Sequence, residues 1–368
     1  MDVSGFSAND IKFMKMAIRL GRKGTGYTEP NPLVGAVVVR NGNVVSTGYH
    51  RMHGGLHAER EALQHVDAEG ATLYVPLEPC SHHGKQPPCV NSVIEKKVAR
   101  VVVATQDPCS LVDGKGIDRL REAGVQVDVG CLGDLYRFEN RHYFKYIRTN
   151  RPYITLRAGV SIDGKLTDKN RNSQWVTDEG LRRISRSFRG EFSAIMAGSG
   201  TILDDNPQLT LRGDWEDKRL FRVVLDSGNR LQRDLKIFED QDRFPLVMFS
   251  STEAENKDKK CRHHHFVAPA SHGGGLDLEE VLDTLGKLGI ASVLVEGGGR
   301  LIDSFLQSGL FDEMILFTAD KLLGGIDSVQ LAAGGFPLPE AVQLENRVVI
   351  PLDSGYIVRS VKLDAPGG

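Results

Sequence analysis

The chain has 368 residues, a length that at roughly 150 residues per domain predicts two or three domains, each with a core of its own. Hydrophobic residues make up 40% and charged residues 26%, which excludes a disordered or fibrous chain. The 46 basic and 48 acidic residues give a net charge of −2; residues 1–150 hold 19 basic against 16 acidic and the remainder 27 against 32, so neither half is the polycation that long nucleic acid calls for.

No apolar run approaches the roughly 18 residues of a membrane span, and Met1 to Asp10 lack the charged and apolar regions of a signal peptide. A soluble, cytoplasmic protein with no membrane partner is predicted. The five cysteines (Cys80, Cys89, Cys109, Cys131, Cys261) are an odd, sparse set that suits a reducing compartment and metal or catalytic duty better than disulfides.

In chain order, Ser7-Ala8-Asn9-Asp10 reads as a capping box, and Ile11, Met14 and Ile18 recur at helical spacing until Gly21. A β-branched run over 33–39 precedes Asn41-Gly42, a two-residue hairpin signal, with a return strand from Val44. The pattern then predicts a helix over 57–69, a strand over 71–75, a helix after Pro87-Pro88 and a strand over 99–103. A helix over 117–123, a strand over 125–129 and a helix over 132–147 follow. Thr149-Asn150-Arg151-Pro152 breaks the pattern, and the domain boundary is placed there, giving domains 1–148 and 149–368. The second half reads as strands over 153–158, 194–197, 220–225 and 245–249, a helix over 278–288, a strand over 292–295, a helix over 301–307 and a strand over 314–317. Hairpin-then-alternation in the first half predicts a three-layer α/β domain with a mixed sheet; the second half predicts another α/β domain. Charged residues 253–260 read as a solvated loop, and His263-His264-His265 as a solvated or edge strand, because neighbours on a strand face opposite ways.

Two motif sets carry chemistry. His57-Ala58-Glu59 opens a helix, and Pro79-Cys80 with Cys89, eight residues intervening, follows the next strand. An imidazole and two thiolates are good zinc ligands, and three of them leave a fourth tetrahedral position for water, whose pKa zinc lowers towards about 7. Glu59, two residues past a ligand, is placed to shuttle that water's proton. The set resembles the signature of zinc deaminases, except that two residues separate the cysteines there. A closed structural zinc with His82, His83 or Cys109 as fourth ligand stays open, as do ordinary core roles for each residue alone. In the second half, Val293-Leu294-Val295 runs into Glu296-Gly297-Gly298-Gly299-Arg300 and a helix. Such a turn offers bare N–H groups and a positive dipole end to phosphates, although it is not the Gly-x-Gly-x-x-Gly fingerprint of a conventional dinucleotide fold.

Asn31-Pro32-Leu33-Val34-Gly35, His57-Ala58-Glu59 and Pro79-Cys80-Ser81-His82-His83-Gly84-Lys85-Gln86-Pro87-Pro88-Cys89 closely resemble the N-terminal domain of the bacterial bifunctional riboflavin-biosynthesis deaminase/reductase family. Ser161-Ile162-Asp163-Gly164-Lys165, Ser173-Gln174-Trp175, the stretch from Gly200 to Thr210 and Glu296-Gly297-Gly298-Gly299 look like its reductase domain. The resemblance implies a cytidine-deaminase-like α/β/α domain followed by a dihydrofolate-reductase-like α/β domain, one zinc ion per chain, and NADPH. It further implies hydrolytic deamination of 2,5-diamino-6-ribosylamino-4(3H)-pyrimidinone 5′-phosphate, then reduction to 5-amino-6-ribitylaminouracil 5′-phosphate. By match, His57, Cys80 and Cys89 are zinc ligands and Glu59 the proton shuttle. Asn31, His50, His82, Lys85 and Asp107 match deaminase substrate contacts. Gly159, Trp175, Thr201, Asp205, Gly298, Gly299, Arg300, Leu301, Ile302, Asp303 and Ser304 match cofactor contacts. Lys165, Ser173, Arg189, Leu209, Arg212 and Glu296 match the reductase substrate side, where arginine forks suit phosphate. The chain departs from the family in having Cys109-Ser110 for the usual Asn-Pro, and His53 and Leu56 for an Ala and a Pro.

Rival readings are a nucleoside or base deaminase fused to a different pteridine-type reductase, an editing module acting on a flipped base, and a zinc-stabilised scaffold without turnover. The implied partner is a small phosphorylated pyrimidine, with no nucleic acid, and homo-oligomer formation is left open.

Overall fold

The computed structural model describes residues 4–81, 87–109, 112–170, 172, 176–213, 215, 217–252, 264–270 and 275–363. Residues 253–260, His82, His83, Lys85, Ser173 and Trp175 lie outside the described residues. The chain forms two compact units, residues 1–150 and 151–368. No helix among the described residues is long and apolar enough to cross a membrane.

Unit 1 begins with α1 (Ala8–Gly21), whose capping box forms as the sequence predicts: Asp10 N–H donates to Ser7 Oγ (3.1 Å), and Ser7 N–H to Asp10 Oδ2 (3.0 Å). The hairpin follows, with β1 (Gly35–Arg40) and β2 (Asn43–Tyr49) joined by Asn41 and Gly42 at φ 51° and 75°, the left-handed pair that a tight hairpin needs. Next come α2 (Ala58–Leu63), β3 (Thr72–Leu77), α3 (Cys89–Glu95), β4 (Arg100–Thr105), α4 (Lys115–Glu122) and β5 (Gln126–Val129). The sheet order is β2-β1-β3-β4-β5, with β1 antiparallel to both neighbours and β3, β4 and β5 parallel. This is the mixed sheet expected.

Two helices differ from expectation. α2 stops at Leu63 and does not reach residue 69. The run over 132–147 is two helices, α5 (Gly133–Glu139) and α6 (Arg141–Thr149), broken at Asn140. Asn140 is buried, and its amide takes Leu33 N–H (2.6 Å) and gives a hydrogen bond to Leu33 O (3.3 Å). An Asn that bonds the backbone of another segment competes with helix continuation, which sequence periodicity does not register.

Unit 2 is built on β6 (Tyr153–Ser161), α7 (Glu179–Ser187), β7 (Ala194–Gly198), α8 (Ser199–Asp205), β8 (Phe221–Leu225), β9 (Leu246–Ser250), β10 (His264–Val267), α9 (Leu278–Lys287), β11 (Ser292–Glu296), α10 (Gly299–Ser308), β12 (Glu313–Ala319), β13 (Leu344–Leu352) and β14 (Gly355–Lys362). Its nine-stranded sheet runs β10-β9-β8-β7-β11-β6-β12-β14-β13. All pairs from β10 to β12 are parallel, while β14 is antiparallel to β12 and β13. The chain leaves β6, builds outward from β7 to β10 and returns to insert β11 between β7 and β6. Open α/β sheets bind ligands at such a reversal, in the crevice outside the carboxyl ends of the strands, here β6, β7 and β11. His264 and His265 lie on β10, the edge strand.

The unit 1 core is anchored by a buried carboxylate. Asp10 accepts from Ser7 Oγ (2.7 Å), Tyr74 Oη (2.8 Å) and Arg100 Nη1 (2.7 Å). Burial works against its charge, but Arg100, Ser7 and Tyr74 outweigh it and hold its pKa well below the usual carboxylate range. A carboxyl with a depressed folded pKa adds stability that is complete above its unfolded value near 4 and is lost as pH falls through the folded one. Asp10→Asn is therefore expected to cost about 3 kcal/mol at pH 7, and the gap between wild type and variant in urea titrations should shrink steadily on acidification below pH about 4. A gap independent of pH would count against the charge.

Candidate active sites

The hairpin and the parallel strands deliver the first site. Gly48 in β2 lets α2 approach closely, because a Cβ there would meet Ala58 O and Ala62 N at 2.6 Å. His57 occupies the N-cap of α2 with extended backbone (φ −72°, ψ 154°). Cys80 lies just past β3, and Cys89 is the first residue of α3. Cys80 Sγ and Cys89 Sγ stand 3.7 and 3.3 Å from His57 Nδ1, and Cys89 N–H donates to Cys80 Sγ (3.3 Å). One ligand atom from each residue lies within 4.8 Å of the others. Tetrahedral zinc with Zn–S of about 2.3 Å and Zn–N of about 2.0 Å sets its sulfur and nitrogen ligands about 3.5 Å apart, so the donor set fits zinc. Among the described residues, no fourth His, Cys, Asp or Glu joins the cluster, and Cys109 is outside it.

Its electrostatics follow from sulfur placed beside sulfur. The Cys89 thiol, helped by His57 and against burial, draws the Cys80 pKa down to about 4, while Cys80 and burial push Cys89 well above its usual value. His57 is raised, mainly by Cys80. Glu59 is buried; desolvation raises its pKa to about 6 against the pull of His57.

Of the matched substrate contacts, Asn31, His50 and Asp107 are described. Buried His50 meets His57 edge-on, with ring centroids 5.6 Å apart. Its Nδ1 faces Leu56 O (2.9 Å) and its Nε2 faces Asn31 Nδ2 (3.1 Å). A nitrogen against a carbonyl must carry hydrogen, so Nε2 accepts from Asn31, a neutral tautomer consistent with the downward pKa shift that burial causes. Asp107 is buried and accepts from Tyr143 Oη (2.7 Å) and Cys109 N–H (2.9 Å).

Sequence reasoning missed Glu78. This buried carboxylate, one residue past β3, gathers the N–H groups of Asp107 (3.2 Å), Gly114 (3.0 Å), Gly116 (2.8 Å) and Ile117 (3.3 Å). It thereby fixes both the loop carrying Asp107 and the start of α4. The available signal was an acidic residue directly after an apolar strand, next to Pro79-Cys80.

In unit 2 the matched residues lie on β6 (Gly159), on α8 (Thr201 and Asp205), at the end of β11 (Glu296), and at and just after the start of α10 (Gly298, Gly299, Arg300, Leu301, Ile302, Asp303 and Ser304); of these, Ile302 is fully buried in the hydrophobic core and does not face a ligand. Gly298 N–H donates to Thr201 Oγ1 (3.0 Å). A Cβ on Gly299 would stand 2.7 Å from Val329 Cγ1, so glycine is needed for α10 to seat against residues 329–330. Backbone at Gly200 is open, with nothing within 4 Å of a Cβ position. A bare Gly-rich turn with a hydroxyl and a helix start fits a pyrophosphate.

The matched substrate residues divide. Arg189 does not present a free fork: its Nε and Nη2 grip Glu296 (2.9 and 2.7 Å), and its Nη1 donates to Thr210 O (2.9 Å). Arg157, which sequence reasoning passed over, also reaches Glu296 (2.5 Å) and buries an Nε with no hydrogen-bond partner. The two arginines outweigh burial and lower the Glu296 pKa. Leu209 buries its side chain in an apolar cluster at φ 50°, which leaves its backbone for contact, whereas Arg212 is exposed. Lys165 makes a β-bridge to Gln330 next to Asp163, whose carboxylate accepts from Leu323 and Gly324 N–H (3.1 and 2.8 Å).

Residues 7–105 match the family model described as the cytidine and deoxycytidylate deaminase zinc-binding region, and residues 152–358 match the RibD C-terminal domain. The riboflavin biosynthesis protein RibD of Aquifex aeolicus is 40% identical over 317 residues, covering 86% of this chain and 88% of that protein. RibD of Escherichia coli K12 is 38% identical over 329 residues, covering 86% and 89%. The crystal structure of a diaminohydroxyphosphoribosylaminopyrimidine deaminase/5-amino-6-(5-phosphoribosylamino)uracil reductase from Thermotoga maritima matches with TM-score 0.86 at 33% identity, over 96% of this chain and 99% of that one. RibD of Acinetobacter baumannii matches with TM-score 0.87 at 33% identity, over 97% and 99%. Fold and site thus define a bifunctional enzyme, a zinc-binding deaminase unit followed by a dihydrofolate-reductase-like unit. The chain belongs to the RibD family, the deaminase/reductases of riboflavin biosynthesis.

Replacing Glu78 by Gln puts an N–H donor where an acceptor is required. It should lower the unfolding free energy of unit 1 by about 3 kcal/mol, read as an earlier denaturation midpoint with zinc still bound. An unchanged midpoint would mean that the four N–H groups do not need the carboxylate.

Proposed function

We propose that residues 1–148 hydrolyse the C2 amino group of 2,5-diamino-6-ribosylamino-4(3H)-pyrimidinone 5′-phosphate. Residues 149–368 then reduce the ribosyl group with NADPH to give 5-amino-6-ribitylaminouracil 5′-phosphate. The observation that carries this reading is the three-donor cluster with buried Glu59 beside it.

When bound, zinc supplies a Lewis acid that makes water nucleophilic at neutral pH. Glu59, two residues past His57 on the same helix start and hydrogen-bonded to Cys89, takes the proton from that water and returns it to the leaving amine. The Asn31–His50 pair presents polar groups at the wall beside His57, and Asp107 holds its carboxylate in place through Tyr143. Lys85 and His82 complete the substrate side in this proposal. In the second unit, NADPH would supply a hydride for reduction of the ribosyl group, and the protein's part is to orient cofactor and sugar. The Gly298–Thr201 cradle and α10 would hold the pyrophosphate, and Lys165, Ser173, Arg189, Leu209, Arg212 and Glu296 would form the pyrimidine side.

Purified protein given the diaminopyrimidine phosphate should release one ammonium per substrate, with NADPH oxidised only after that release. Glu59→Gln should slow ammonium release by about 10³-fold, keep zinc near one per chain, and leave NADPH oxidation on the deaminated pyrimidine unchanged. Wild-type protein that releases no ammonium, or a variant that releases it at the native rate, overturns the assignment.

A further inference from the structure

Arg222 is the second residue of the otherwise apolar strand β8 and is fully buried. Such a cation is costly unless it is fully hydrogen-bonded, and its four donated hydrogen bonds all end on backbone carbonyls. Nε and Nη2 reach Phe244 O (3.0 and 2.7 Å), Nη2 also reaches Glu239 O (2.7 Å), and Nη1 reaches Gln208 O (3.1 Å). A planar fork can span three carbonyls of two segments in this way, and an ammonium point charge cannot.

One of those segments is residues 206–210, the loop after α8 that carries Leu209. Asn206 and Leu209 both sit at positive φ (41° and 50°), a strained conformation that persists only when the surroundings over-determine it. The surroundings do so from two sides. Arg222 holds Gln208 O, while Arg189, itself locked on Glu296, holds Thr210 O (2.9 Å). Lys236 N–H on Asn206 Oδ1 (2.9 Å) fixes the near end. The loop is thus tied at Gln208 to the amino end of β8 and at Thr210, through Arg189, to Glu296 at the carboxyl end of β11.

We infer that Arg222 is a positioning residue of the reductase: from inside β8 it sets the backbone of residues 208–210 against the crevice, and so governs how the pyrimidine, and not the cofactor, is received. This rests on the reductase reading of the same unit. A displaced loop weakens substrate binding while leaving the Gly298–Thr201 cradle intact.

Arg222→Lys keeps the charge and loses the fork. KM for the deaminated pyrimidine should rise about tenfold or more, kcat should stay within about threefold, and the NADPH dissociation constant, read by fluorescence titration, should stay within about twofold. Amide hydrogen exchange at 208–210 should quicken by about tenfold, with β7 and β11 still protected. An unchanged KM in the folded variant, or a cofactor affinity that falls in step with KM, overturns the inference. If Arg222→Lys does not fold, Asn206→Ala loosens the same loop without touching β8; it should show the same selective rise in KM, and an unchanged KM is again decisive against it. Failure of the underlying reading looks different: wild-type protein binds NADPH but oxidises none with the pyrimidine, while the exchange measurement still tests the clamp.

Discussion

Two sulfurs and an imidazole nitrogen held within 4.8 Å of one another are a demanding arrangement, because in their ligating forms two are anions and none can donate to the others. Unit 1 meets that demand in its backbone. Cys80 and Cys89 follow a buried strand and open a helix, and His57 caps another, so positive helix ends and the Cys89 N–H stand where negative charge must reside. The hydrogen bond between the two sulfurs lowers the Cys80 pKa and raises that of Cys89. Both ligate as thiolates, so metal binding is tied to proton release. Beside this point stand Glu59 and His50, with Asn31 bonded to His50.

Elsewhere the same economy of charge recurs. Four buried carboxylates serve as struts: Asp10 ties α1 to β3 and β4, Glu78 ties β3 to the loop before α4 and to its start, Glu296 ties β6 to the segment after α7, and Glu313 is gripped by Arg359. Removing one member of such a set strands the other in low dielectric, which costs more than the pair itself contributes. Arg222 extends the pattern to a cation held only by carbonyls. In unit 2 only the Glu296 strut stands at the carboxyl end of a parallel strand; Glu313 opens β12 and Arg222 lies near the amino end of β8.

Much of this was legible in the residues. The capping box at Ser7, the Asn41-Gly42 turn, the β-branched runs and the Gly-rich turn before α10 are local devices whose geometry follows from covalent structure and nearest neighbours. The metal ligands were legible because soft donors in that grouping have few other uses. What escaped was settled by distant partners. Asn140 splits a periodic helical run because it bonds Leu33, and α2 ends early. The hairpin of β13 and β14, with α7 and α8, gave too weak a periodic signal to stand out. Arg157 and Arg222 fell inside predicted strands with no role assigned, since nothing local says that a guanidinium will be enclosed by carbonyls or share a glutamate.

The sequence by itself determined the chemistry: which side chains can ligate zinc, which carboxyl lies two residues from a ligand, where a turn is bare enough for phosphate, and that two α/β units follow one another. Only the tertiary structure decided that Arg189 spends its fork on Glu296, that Leu209 turns its side chain inward, and that Glu78 and Arg222 hold the loops. Ligand identity depends on atom types, which the chain order records directly. Orientation depends on which buried dipoles and charges find each other across large sequence separations, and that is fixed only when the whole core closes.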